Sequence, residues 1–205
     1  ESTQDSIHIY NMLGIAYLNK SDNYKSLEAF HKSIELNEAI QDSLNTASSL
    51  NNIGVVFNNL ERFDKAIAYY KQAQKIYFRQ NDSMRIARSH NNIGAAYLSK
   101  EMLDSAQWHF NQSLTIREAI GDKKGLASTY NNVGILFEEQ GMFTKAESFY
   151  QKSFQLKKQM NDFLGIANYY LNMGYLKDKQ DQPKTAINPF THAYTISKDY
   201  SFLEN

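Results

Sequence analysis

The chain has 205 residues, of which 42% are hydrophobic and 13% aromatic, with only nine Gly and two Pro; this excludes disordered and collagen-like chains and favours helices. Its 22 Lys and Arg balance 22 Asp and Glu, so no net basic field draws it to nucleic acid or to an anionic membrane. Cysteine is absent, which excludes a disulfide framework and thiolate chemistry and leaves the compartment open.

The chain lines up on itself with a period of 40, and the units are taken here in order. The first, about residues 2–41, carries Met12, Gly14, Tyr17, Ser26, Phe30, Ser33 and Leu36. The second, 42–81, opens on Asp42 and places Asn52, Gly54, Phe57, Ala66, Tyr70, Ala73 and Ile76 at the same phases. The third, 82–121, has Asp82, Asn92, Gly94, Tyr97, Ala106, Phe110, Ser113 and Ile116. The fourth, 122–161, has Asp122, Asn132, Gly134, Phe137, Ala146, Tyr150, Ser153 and Leu156. The fifth, 162–201, has Asp162, Asn172, Gly174, Lys177, Ala186, Phe190, Ala193 and Ile196. Glu1 falls at the linker phase of the first unit, and Tyr200 to Asn205 are expected to begin the linker of a sixth. The start, Glu1-Ser2-Thr3-Gln4-Asp5, has neither an initiating Met nor a signal pattern, so a single array taken from a longer protein is expected.

Apolar positions inside each unit recur at three and four residues, as in Ile86/Ala87, His90, Ile93, Ala96/Tyr97 and then Leu103, Ala106, Phe110, Leu114. That is the helical period, and it predicts two amphipathic helices per unit. The linker aspartates supply N-cap oxygens for the first helices, and breaks such as Asn59-Leu60-Glu61-Arg62 separate the two. Pro183 suits the first turn of the last second helix. Pro189 falls mid-helix and is expected to kink or weaken it by about 3 kcal/mol. A glycine inside a helix costs about 1 kcal/mol relative to Ala, so its return in all five first helices points to close approach of the partner helix, with the small residue twelve positions on lying opposite.

The order Leu/Ile-Gly-x-x-Tyr/Phe, then Ala, an aromatic and a small residue resembles the tetratricopeptide repeat across essentially the whole chain. The period exceeds the common 34 residues of that repeat and lacks its closing proline. The run Gly121-Asp122-Lys123-Lys124-Gly125-Leu126-Ala127 through Tyr130-Asn131-Asn132-Val133-Gly134 looks like repeats of spindle-orientation adaptors and of bacterial Rap-type peptide-sensing regulators. The resemblance implies an all-α, right-handed superhelical solenoid of helix-turn-helix hairpins whose first helices line a concave groove.

Chemistry is sparse. The five histidines, His8, His31, His90, His109 and His192, occupy different phases with no zinc-ligand spacing. No phosphate loop, nucleophile elbow or HExxH occurs, and adjacent carboxylates such as Glu138-Glu139 point to different helix faces. No catalytic residue, metal site or cofactor is expected. The aromatics, Trp108 among them, fall mostly at core phases of the second helices and read as packing, not as a base-stacking platform.

Two mid-helix asparagines recur although Asn forms helices poorly. On the groove that the resemblance implies, the candidate partner-binding residues are Asn11, Asn51, Asn52, Val55, Arg88, Asn91, Asn92, Asn131, Asn132, Ile135, Asn168, Asn172 and Tyr175. A row of carboxamides can hold the main chain of an extended peptide while Val55, Ala95 and Ile135 receive side chains. In the resembling families the asparagine at the positions of Asn52, Asn92, Asn132 and Asn172 binds partner backbone; Met12 breaks the row. Alternatively these amides bridge neighbouring repeats and only order the stack. A chaperone-tail clamp requires lysine where Asn11, Asn51 and Asn91 stand, which disfavours a C-terminal carboxylate as ligand. His8, Arg88 and Lys179, offset by Glu139, favour a neutral or mixed partner segment.

Three readings follow: an interaction module for a protein or peptide segment, a peptide-responsive sensor of a bacterial kinase or transcription regulator, or an array that self-associates through its ends. None involves nucleic acid or membrane insertion by this segment, because no stretch nears the roughly 18 apolar residues that would span a bilayer. A soluble segment is expected; a cytoplasmic location is favoured and an extracytoplasmic sensor domain stays open.

Overall fold

The computed structural model describes residues 3–203, with side chains described from residue 3 to residue 198. Glu1 and Asn205, which the sequence reading assigned to linkers, lie outside those residues. The described chain is all-α. Its ten helices are α1 (Thr3–Asn19), α2 (Asn23–Ala39), α3 (Ser43–Asn59), α4 (Phe63–Arg79), α5 (Ser83–Ser99), α6 (Leu103–Ile120), α7 (Lys123–Glu139), α8 (Phe143–Gln159), α9 (Phe163–Lys179) and α10 (Pro183–Leu203). Two compact units divide it, Glu1–Ile116 and Arg117–Asn205. In the first, α1 to α5 pack each against the next, and α1–α3 and α3–α5 also touch. In the second, α7 to α10 pack in the same sequential way.

The helix starts follow from local chemistry. Asp42, Asp82, Asp122 and Asp162 accept from the backbone N–H three residues on and so satisfy one of the orphan donors of α3, α5, α7 and α9. Asp22 does the same for α2, while Arg62 and Met142 leave α4 and α8 without a side-chain cap. Every turn contains one residue of positive φ, recurring each 20 positions from Ser21 through Gln41, Glu61, Asn81, Glu101, Gly121, Gly141 and Asn161 to Asp181. Only two of these are glycine, so turns within and between hairpins share one geometry that residue identity does not announce.

The glycine of each first helix does admit a close approach, but chiefly to a different residue from the one expected. A Cβ built on Gly14, Gly54, Gly94 or Gly134 falls 2.5 to 2.7 Å from the ring of Phe30, Tyr70, Phe110 or Tyr150, and at Gly174 the ring of Phe190 takes the same place. The aromatic sixteen positions on therefore fills the notch. The small residue at twelve lies beside the same backbone, Ser26 Oγ donating to the Gly14 carbonyl at 2.8 Å. The first four of these rings are buried, as are Ala66, Ala106, Ala146 and Ala186.

One further row is buried at each joint between hairpins: Asn37, Tyr77, Arg117 and Lys157, spaced by 40. Asn37 donates to Ser33 on its own helix, and the other three meet the following first helix each differently. Arg85 lies over the Tyr77 ring, 6.0 Å from its centroid. The Arg117 guanidinium lies where a Cβ at Gly125 would stand and pairs with Asp122 at 3.1 Å. The Lys157 stem lies against Gly165, and burial pulls its ammonium below the usual lysine range.

At the end of the chain α10 continues through Leu203, so Tyr200 to Leu203 are helix and do not begin a linker. The phase at which other linkers carry a capping aspartate holds Phe202, so nothing there ends one helix and starts another. Nor does Pro189 interrupt α10; it stands half-buried within it. Among the described residues no helix is long and apolar enough to cross a membrane.

Candidate functional site

The first helices place the candidate residues at three depths. In the first unit Asn51 and Asn91 are 3% and 9% exposed, below the surface. Asn11, Asn52, Val55 and Asn92 are half-buried, and Arg88 is exposed. In the second unit Asn131, Asn132, Ile135 and Asn172 are half-buried, whereas Asn168 and Tyr175 are exposed. Val55 packs against the cluster of Ala66, Ile67, Tyr70, Ile93 and Ala96, and Ile135 against that of Ala146, Tyr150, Met173 and Leu176. These two side chains rest partly on the core. Open apolar surface comes instead from Met12 and Ile15 on α1 and from Tyr175 on α9.

The amides bond to one another across neighbouring first helices. Asn92 Nδ2 donates to Asn51 Oδ1 at 3.2 Å, and in the second unit Asn172 Nδ2 donates to Asn131 Oδ1 at 2.8 Å. The spacing is 41 in both cases, so the asparagine two before one glycine reaches the asparagine three before the previous glycine. Asn11, whose counterpart by this offset is Asn52, accepts from Ser49 Oγ at 3.0 Å. A carboxamide has two N–H groups and a carbonyl. Each donor amide commits one N–H to the joint, and its half-buried remainder borders solvent.

Charge on these faces is mostly internal. Lys179 Nζ lies 2.9 Å from Glu138 and 2.8 Å from Glu139. Its hydrogen bonds to Glu139 and Glu138 raise its pKa above the ordinary lysine value. Tyr150 Oη donates to the same Glu138 at 2.6 Å. Arg88 Nη2 reaches Tyr77 Oη at 3.5 Å.

Two histidines that the sequence placed at unrelated phases are brought together by the α5–α6 hairpin. His90 Nδ1 and His109 Nδ1 lie 3.0 Å apart, one donating to the other. Burial, then the charge of His90 and of Lys71, lowers the pKa of His109 to about 4; burial lowers that of His90. Trp108, read from sequence as core packing, is 55% exposed. Its position midway between the buried Ala106 and Phe110 turns it to the opposite side of α6. No group of three or more His, Cys, Asp or Glu converges as a metal site among the described residues.

The histidine pair carries a pH prediction. Because the folded pKa of His109 lies below the unfolded value of about 6.5, the unfolded chain binds more protons between that value and about pH 4. Stability therefore falls as pH drops through that window. The loss expected is about 1 kcal/mol, discounted for a half-exposed ring. Urea unfolding at pH 7 and pH 4.5 checks it. His109→Phe should flatten the difference, and an unchanged pH response in that variant refutes the assignment.

The sequence matches the tetratricopeptide repeat family model over residues 5–77 and 85–159. No curated protein matches it in sequence. Among solved structures it is similar to the Rap conjugation gene regulator of plasmid pLS20 in complex with the Phr* peptide, with TM-score 0.84 and 15% identity, covering 95% of this chain and 54% of that one. It is similar also to a Rap protein complexed with competence and sporulation factor, with TM-score 0.83 and 16% identity, covering 99% of this chain and 58% of that one. BtubC from P. vanneervenii superimposes with TM-score 0.75 at 15% identity, over 94% of this chain and 80% of that one. The chain thus spans little more than half the length of the two Rap proteins.

Proposed function

The chain belongs to the tetratricopeptide repeat family, and from that premise we propose that it is a non-catalytic module that holds an extended peptide or partner segment on the first-helix face of each unit. One observation carries the reading. Successive first helices display amides in the same register, Asn92 with Asn51 and Asn172 with Asn131. The donor amide of each pair, Asn92 or Asn172, is half-buried and has a carbonyl and a second N–H beyond the one it commits, groups suited to a peptide main chain. Asn11, Asn52, Asn132 and Asn168 complete the rows, with Asn91 buried beneath them, and Met12, Ile15 and Tyr175 offer apolar contact beside them. Val55 and Ile135 form floor rather than pockets. The Rap structures in complex with a peptide and a competence factor favour a short peptide over a long protein segment. In that form the module senses a peptide and passes the signal to a further domain.

Selecting extended peptides from a display library on the protein, then measuring hits by calorimetry, tests this. Asn92→Ala with Asn172→Ala should weaken the selected peptide about tenfold, near the loss of two neutral hydrogen bonds at about 0.7 kcal/mol each. If binding persists while the unfolding temperature drops sharply, the amides serve the stack alone and the proposal fails.

A further inference from the structure

The α5–α6 hairpin of the first unit carries a group of residues apart from the peptide face, one of which, Tyr97, also packs against the core cluster of Ala66, Ile67, Tyr70, Ile93 and Ala96. Tyr97, Asp104, Ser105, Trp108 and His109 line a shallow cavity of about 280 Å³ at the α5–α6 hairpin. Trp108 stands edge-on to His109, with ring centroids 4.8 Å apart and planes at 84°, and edge-on to His90 at 5.7 Å. These contacts hold the indole upright on α6 although it is more than half exposed. An exposed tryptophan fixed by two rings beneath it is not a packing residue, since its face contributes nothing to the core. Tyr97 stacks on the other side of His109 at 5.5 Å, so the cavity has aromatic walls. Asp104 lies one helical turn before Trp108 and brings an exposed carboxylate to the rim.

Aromatic faces joined by a carboxylate have the chemistry of a cation site. The ring quadrupole attracts an ammonium or guanidinium, tryptophan most strongly, and a carboxylate adds charge and a hydrogen-bond acceptor. The Tyr97 ring already draws one cation, Lys71, whose Nζ lies 5.9 Å from the ring centroid and 3.5 Å from the hydroxyl and whose charge also reaches His109. Burial keeps His109 neutral at pH 7, so it forms a wall of the cavity and does not repel a cation.

We infer that the cavity bounded by Trp108, Tyr97, His109 and Asp104 is a subsite for a cationic side chain of a bound protein, a methylated lysine or an arginine. It lies on second-helix and hairpin-end residues, apart from the amide rows, so its test is independent of the peptide-face reading.

Trp108 is the sole tryptophan, and its fluorescence therefore reports on this cavity alone. The full chain is titrated with N-acetyl-trimethyllysine amide, N-acetyl-arginine amide and the uncharged carbon isostere of the former. The expected result is a saturable change with either cation at millimolar concentration, the isostere giving none. Preference between the two cations identifies the side chain. Asp104→Asn, at an exposed position that leaves folding intact, should weaken the cation about threefold. Equal response to the isostere, no saturable response to either cation, or no effect of Asp104→Asn overturns the inference.

Discussion

Gly94→Val should lower the stability of the protein by about 3 kcal/mol, at the upper end of what overpacking a core costs. A Cβ there would stand 2.7 Å from two carbons of the Phe110 ring and 3.3 Å from the Ala106 carbonyl oxygen. The ring is fully buried and the carbonyl belongs to the α6 backbone, so neither can yield without moving the helix. Replacing a helical glycine recovers less than about 1 kcal/mol of backbone propensity when the newcomer is β-branched, too little to offset the clash. Chemical denaturation of Gly94→Val, Phe110→Leu and the double variant measures the contact. The double variant should be more stable than the sum of the two by about 1 kcal/mol, as expected for residues in direct contact. A neutral or stabilising Gly94→Val shows that the glycine is there for some other reason.

Arg117→Leu should cost a comparable amount, about 3 kcal/mol, by a different route. The guanidinium side chain is 6% exposed, and its partner Asp122 15%. Asp122 also caps α7 by accepting from Gly125 N at 2.8 Å. Removing the cation strands a largely desolvated carboxylate and opens the space above Gly125, which is why breaking such a pair is more costly than its net worth. Changing both charges, Arg117→Leu with Asp122→Asn, should recover more than half of the loss, because Asn keeps the cap and carries no charge. Urea unfolding of the two variants decides it. A cost under about 1 kcal/mol for the single change would place this pair with ordinary surface ion pairs.

Local features were legible from the chain, and features made by hairpin closure were not. Four capping aspartates could be placed because a cap needs only its own next three residues. The repeating glycine likewise announced a close approach. Its filling by the ring sixteen positions on required the direction of that side chain, which spacing does not give. Trp108 was misread because bulk and hydropathy outweighed its phase, two residues from Ala106 and two from Phe110. His90 and His109 fall at unrelated phases, and only the α5–α6 hairpin makes them neighbours. The asparagine rows were visible as a repetition, but their offset pairing, two-before to three-before the glycine, depends on how far adjacent first helices slide. Turn residues such as Glu61 and Glu101 gave no sign of positive φ, since glutamate is a poor marker for it.

The buried row at residues 37, 77, 117 and 157 has a bearing on how such a chain can be recombined. The outer repeat pattern is uniform, which invites the view that hairpins are interchangeable modules to be duplicated or shuffled. The joints contradict that view, because tyrosine under Arg85, guanidinium under Gly125 and a lysine stem under Gly165 each suit one successor. A hairpin ending in Arg117 placed before one beginning with Arg85 would set two guanidinium groups against each other in a buried seam. Repeat order is thereby written into the molecule as a series of matched keys, and exchange is tolerated only where the key travels with both of its halves.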